Sequence, residues 1–390
     1  MKKVYLDNAA TTRVRDEVIS AMLPYFTEYY GNPSSLHLFA REAAKGLDAA
    51  RAQVAAALNA TPQEIVFTGG GSEGDNMVLR GIARAYQKQG AHIITSAVEH
   101  HAVLHTLEAL EKEQGLSVTY LPVDEYGRVS AAQVEQAIRP DTILVSIMFA
   151  NNEVGTIMPV EEIGRVCRAH KVLFHTDAVQ AVGHVPIDVE AMHIDLLSLS
   201  AHKFHGPKGV GALYVRKGVR LPALITGGGQ ERKKRAGTEN VPGIVGLGVA
   251  IELAVAELAE NTKAMCALRD RLISGMEARI PEIKLNGHRS QRLPNNVNFS
   301  IRYIEGESIL LMLDLNGIAA SSGSACTSGS LDPSHVLLAM GLTHEVAHGS
   351  LRLTLSRYTT PEEIDYVLEI LPPIIEKLRA MSPLYQGGQN

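Results

Sequence analysis

The order of apolar and helix-forming stretches predicts an α/β fold with a mostly parallel central sheet, followed by a smaller α+β region. Three observations carry this. Short apolar runs at 65–67, 92–95, 118–121, 143–147 and 172–174 read as buried strands. Several are separated by Ala/Leu/Glu/Arg stretches of helical period, such as 161–170, and a similar stretch at 42–58 precedes the first. After about residue 255 the texture changes. A long helix is expected over roughly 245–280, then alternating strands at 297–301 and 351–355, and a closing helix over about 361–380. Ligands in such sheets gather outside the carboxyl ends of the strands, and the candidate residues fall at those ends.

The chain has 390 residues, enough for a large core and two domains. Hydrophobic residues make up 45% and charged ones 20%, a soluble globular composition, and the net charge of -5 gives no global reason to expect nucleic acid. The greasiest stretch, 243–258, is interrupted by Glu252 and Glu257, so no membrane span is expected. Asp7 falls where a signal peptide would need apolar residues, so a cytoplasmic protein is the default. Cys167, Cys266 and Cys326 include no CxxC and cannot all pair. Cys167 and Cys266 sit in helical stretches as packing residues. Cys326 lies instead among small residues, in Ser-Ser-Gly-Ser-Ala-Cys-Thr-Ser-Gly-Ser, which suits a mobile loop over about 321–331.

Ile194, Leu196, Leu197 and Leu199 form a buried strand ending at Ser200-Ala201-His202-Lys203, before a Gly/Pro-rich loop. A lysine set among small residues at a strand's end loses solvation, which lowers its pKa and exposes a nucleophilic amine. Such an amine suits covalent attachment to a carbonyl cofactor. Upstream, the 65–67 strand runs into Thr68-Gly-Gly-Gly-Ser72-Glu-Gly-Asp75, a glycine loop opening a helix, with Ser72 and Asp75 at a capping-box spacing. Its backbone N–H groups suit a phosphate. Gly69, Gly71 and Gly74 also match GxGxxG, with Glu99 near the place of a ribose-binding acid, so a dinucleotide and a smaller phosphate ligand both stay open. Asp177 ends another apolar run. A buried carboxylate needs a partner; a pyridinium N–H would serve, as would the capping of the next turn.

The resemblance is specific and runs essentially end to end: YLDNAATT, GNPSSLH, VEHHAV, NNEVG, HTDAVQAVG, SLSAHKFHGPKGVGALYV, QERKKRAGTENVP, SSGSACTSGSLDPSHV and RLTLSRYTTPEEID. The chain resembles the NifS-type cysteine desulfurases of the class V aminotransferase family, which are fold-type I pyridoxal-phosphate enzymes. The resemblance implies a large cofactor domain over 15–255 and a small domain from 1–14 and 256–390. It implies pyridoxal 5'-phosphate held by Lys203, with Asp177 on the ring nitrogen, His100 stacked on the ring as an acid/base group, and Asn152 and Gln180 on the phenolic oxygen. Gly71, Ser72, Ser200 and His202 would take the phosphate, with Thr238 reaching in from a second subunit of a homodimer. Arg352 would pair with the carboxylate of L-cysteine, helped by Asn32. Cys326 would accept the sulfur as a persulfide, releasing alanine, and pass it to an iron–sulfur scaffold protein.

Two further signals point elsewhere. His344-Glu-Val-Ala-His348 is a literal HExxH, yet Gly349 and Ser350 follow at once and 351–355 reads as strand, so no metal is expected. His100, His101 and His105 also resemble a metal cluster, but ring stacking explains His100 better. Arg232-Lys-Lys-Arg235 reads as a solvated loop in an otherwise acidic chain rather than a nucleic-acid patch.

Overall fold

The structure, a computed structural model, describes residues 2–322 and 333–385. Its centre is a seven-stranded sheet. Across it the strands run Ile65–Thr68, Gly211–Val215, Leu196–Ser200, Leu173–Asp177, Thr142–Ser146, His92–Ser96 and Ser117–Leu121. The last five are mutually parallel, and Gly211–Val215 is antiparallel to both of its neighbours. Most central strands are buried along their whole length, which is why they read as continuous apolar runs. Helices Gly71–Tyr86, His101–Gln114 and Val160–His170 lie between strands of the sheet, and Leu38–Ala57 precedes its first strand and packs on Val241–Ala256.

A second core is built from Leu6, Leu272, Met276, Phe299, Leu353 and Leu371. It lies against a three-stranded antiparallel sheet, Ser350–Thr354, Asn296–Ile301 and Ile283–Leu285. Helices Leu258–Arg279 and Pro361–Met381 pack together on it. The N-terminal strand Val4–Tyr5 belongs to this region and pairs in parallel with Ile318–Ala319.

One expected element is corrected. The helix anticipated over roughly 245–280 is two helices, Val241–Ala256 and Leu258–Arg279, bent by 72°. Glu257 leaves the helical conformation at the break, with φ -99° and ψ 5°. Its carboxylate accepts from Arg15 at 2.8 Å and also meets Arg357. The amphipathic pattern saw a continuous helix because these charges come from residues far away in sequence. Among the described residues no single helix is long and apolar enough to cross a membrane. Cys167 is buried in Val160–His170, where burial pushes its thiol pKa up, as befits a packing residue.

Candidate active site

Strand register brings three segments together at the carboxyl edge of the sheet. Thr68 and Ser200 both pair with Gly211, and Asp177 pairs with Ser198. A Cβ on Gly211 would lie 2.4 Å from the Leu199 carbonyl and 2.8 Å from the Gly70 Cα, so glycine is what lets the loop close over this strand. Gly70, at φ 150°, then turns the chain into the Gly71–Tyr86 helix. The N-cap is therefore Gly70, with no side-chain cap. Ser72 is a first-turn residue instead of a cap, and it lines a cavity. The free N–H groups of this first turn point the same way as the positive end of the helix.

The cavity holds about 370 Å³, and Gly71, Ser72, His100, Asn152, Asp177, Gln180, Ser200, His202, Lys203 and Arg352 all line it. Lys203 follows Ser200 by a short 3-10 turn, Ala201–Lys203. Its Nζ donates to the carbonyls of Ala9 at 2.5 Å and Ala10 at 2.8 Å. Gln180 Nε2 donates to the same Ala9 carbonyl at 3.0 Å, and His202 Nδ1 lies 3.1 Å from the Thr11 hydroxyl. The N-terminal segment thus forms one wall, a role that sequence reasoning missed although YLDNAATT was among the quoted motifs. Burial, then Lys203 and Lys208, push the His202 pKa down to about 4. Its ring is therefore neutral at physiological pH. His100 caps the His101–Gln114 helix, Nδ1 accepting from the Ala102 N–H at 3.1 Å, which leaves a neutral ring's proton on Nε2. Arg352 on Ser350–Thr354 is 2% exposed.

Asp177 is 6% exposed. Burial pushes its pKa up, while His100, the Val179 N–H and Lys203 pull it back. Asp75 was expected to take part in helix capping, but it is buried and turned toward the sheet, where it lines the cavity. A Cβ on Gly74 would sit 2.9 Å from the Ser198 Oγ, so the helix lies close on the Leu196–Ser200 strand and carries Asp75 inward. Burial, then the neighbouring Asp177, drive its pKa well up, and its Oδ1 has no hydrogen-bond partner. His175 lies 3.7 Å away. Its nitrogens meet the hydroxyls of Ser146 at 2.8 Å and Ser198 at 3.1 Å, and burial pushes its pKa down to about 3, so it gives Asp75 no charge.

Other expected features fall elsewhere. Glu99 is buried away from the cavity, accepting from the Ser96 hydroxyl at 2.6 Å and the Met148 N–H at 3.0 Å, so it is not a ribose-binding acid. Burial pushes its pKa up to about 8. Asn32 and Thr238 are exposed and do not line the cavity, and the Asn32 Oδ1 accepts from the Ser34 N–H at 2.9 Å. Cys326 lies outside the described residues. HExxH forms a five-residue helix, His344–His348, before the Ser350–Thr354 strand. His101 stacks on His105 with ring centroids 4.8 Å apart and touches the His335 ring at 4.7 Å. Among the described residues no group of three or more His, Cys, Asp or Glu is arranged to hold a metal ion. The basic run is only partly solvated. Left-handed φ angles at Glu231, Arg232 and Lys233 turn Glu231 inward onto Arg51, and Arg235 pairs with Glu73 at 3.0 Å.

Known proteins resemble the chain over nearly its whole length. The cysteine desulfurase IscS of Clostridium botulinum is 61% identical over 387 residues, covering 99% of this chain and 97% of that protein. A solved NifS-like protein superposes with a TM-score of 0.91 at 43% identity, covering 97% of this chain and all of its own. A structure described as SspA in complex with cysteine superposes with a TM-score of 0.82 at 39% identity, covering 92% of this chain and all of its own. Residues 4–367 match the family described as aminotransferase class-V, and the chain belongs to that family.

Proposed function

We propose that the chain is a pyridoxal-phosphate-dependent cysteine desulfurase that converts L-cysteine to L-alanine and hands the sulfur to Cys326. The observation that carries this is the convergence of Lys203, Asp177, His100 and Arg352 on one cavity. The residues fit the cofactor. A helix N-terminus with Ser72 suits the phosphate, with Ser200 and His202 beside it. The Asp177 carboxylate is buried and its charge is disfavoured by that burial, and a pyridinium N–H would add a favourable partner. When bound, pyridoxal phosphate contributes a carbonyl that joins an amino acid and a ring that draws electrons from its α-carbon.

The chain's own residues do the rest. Lys203 offers the amine, steadied by the Ala9 and Ala10 carbonyls. Asp177 holds a positive charge at the ring nitrogen. His100 Nε2 is where a proton is given to or taken from a ligand in the cavity. Arg352 receives the substrate carboxylate. In the net transfer the cysteine Cβ–Sγ bond breaks and an S–S bond to Cys326 forms. The Cys326 thiol proton balances the hydrogen gained at Cβ, so one cysteine gives one alanine and one enzyme persulfide. An iron–sulfur scaffold protein is the proposed acceptor.

A homodimer is part of the same reading. Phe26, Tyr30, Leu36, Leu38 and Phe39 leave an apolar strip in water, with Leu36 94% exposed. Thr238 and Asn32 are exposed as well, and a second copy seated on the strip would bring such residues to its neighbour's cavity. The direct test is alanine and sulfide release from L-cysteine with added cofactor and reductant. Equimolar products that vanish in Lys203→Ala, along with the yellow colour, support the reading. A colourless wild type that releases neither product refutes it.

A further inference from the structure

Arg352 and the residue behind it carry one inference more. The guanidinium is almost wholly buried, and two contacts fix its end. Nη1 donates to the Asn152 carbonyl at 3.1 Å, and Nη2 donates to Asp7 Oδ1 at 3.1 Å. Asp7 arrives from the opposite end of the chain. Its backbone bridges to Thr354, two residues beyond Arg352 on the same strand. The following residues fasten that bridge: Asn8 Nδ2 donates to the Thr354 carbonyl and the Ala9 N–H donates to the Thr354 hydroxyl, both at 2.8 Å. Arg352 lines the cavity and Asp7 does not. The acid therefore backs the guanidinium and leaves the cavity-facing N–H groups to a ligand.

We propose that Asp7 is the positioning residue for Arg352, holding the guanidinium plane so that a substrate α-carboxylate meets it without first ordering it. A long arginine side chain loses rotamer freedom whenever its fork is fixed. Asp7 and the Asn152 carbonyl impose that loss during folding, so that substrate binding no longer bears it. Asp7 also neutralises this buried cation before a substrate carboxylate arrives. The inference rests on the reading that Arg352 receives the substrate carboxylate.

Two thiols that lack the amino group test it on the cofactor-loaded enzyme: 3-mercaptopropionate, which keeps the carboxylate, and the neutral 3-mercaptopropionamide. The readout is the ratio of their inhibition constants, beside KM and kcat for L-cysteine. Wild type should prefer the acid, and Arg352→Ala should abolish the preference. If Arg352→Ala keeps it, the reading of Arg352 fails, and the inference with it. Asp7→Ala should weaken the acid about tenfold relative to the amide and raise KM alike, with kcat changed by no more than about twofold. Asp7→Asn keeps an acceptor oxygen and should recover most of the preference; if Asp7→Ala does not fold, Asp7→Leu, of similar size and without an acceptor, takes its place. An unchanged ratio in the folded alanine or leucine variant, together with an Arg352→Ala loss, overturns the role of Asp7 alone. Tighter binding of the acid overturns it too, because Asp7 would then be a competitor for the guanidinium.

Discussion

Asp177 sits at the end of a buried strand with its pKa raised by burial, so its charge persists only beside compensating groups. Asp177→Asn removes the anion proposed to face the ring nitrogen. It should lower kcat by about a hundredfold or more while cofactor is retained, as steady-state turnover and absorbance will show. A kcat close to wild type contradicts the role. Arg352→Ala should act on binding instead, raising KM for cysteine about a hundredfold through the loss of a charge-assisted pair. Asp177 was legible because it ends an apolar strand, whereas Arg352, in the middle of Ser350–Thr354, stood out only through its long, unusual motif. Asp75 was not legible. Its spacing from Ser72 fits a cap, and only the close approach of Gly74 to Ser198 shows the side chain turning inward. Nor did any pattern join Asp7 to Arg352, since their pairing depends on a bridge between the two ends of the chain.

At the scale of elements, most strands of the central sheet were legible because burial on both faces leaves uninterrupted apolar runs, whereas Gly211–Val215 was not read as one. The break at Glu257 was hidden, because helical periodicity carries no record of the distant Arg15 and Arg357 that meet its carboxylate. The glycine loop was legible as a strand-to-helix turn but not in its detail: the helix starts at Gly71, and the loop is admitted by a glycine on another strand. Gly211→Ala tests that packing. Its methyl would meet backbone atoms of Leu199 and Gly70, which cannot step aside, so a loss of about 1–3 kcal/mol is expected in denaturant unfolding. Weaker cofactor retention should accompany it. Wild-type stability in that variant would show that the loop does not depend on the close approach.

Across the whole molecule, burial of titratable groups gives stability a definite pH dependence. Glu99 and Glu153 ionise near 4.5 when free and are pushed by burial up to about 8 and about 7. From pH 4.5 to about 8 the folded state therefore keeps protons that the unfolded chain has lost, and these groups make stability fall as pH rises. His175, pushed from 6.5 down to about 3, does the reverse below pH 6.5, where the unfolded chain binds the extra proton. Above that, the carboxyl contribution stands alone among these three. Glu99→Gln should flatten the decline between pH 6.5 and 8 in denaturant unfolding of the apoprotein, and an unchanged slope contradicts the assignment. The apolar strip belongs to this scale too. Phe26→Asp with Leu38→Asp should turn a sedimenting dimer into a monomer and lower activity, whereas a monomeric wild type contradicts the shared site. Asn32 and Thr238 could not be placed from one chain, since their proposed work lies across that interface. The most direct test of the central claim compares wild type with Cys326→Ala for alanine and sulfide release from L-cysteine in the presence of reductant. The account predicts a yellow variant that releases neither product, because Lys203 is intact and the sulfur has no acceptor. A variant that turns over as fast as wild type would contradict it and make direct elimination the better description.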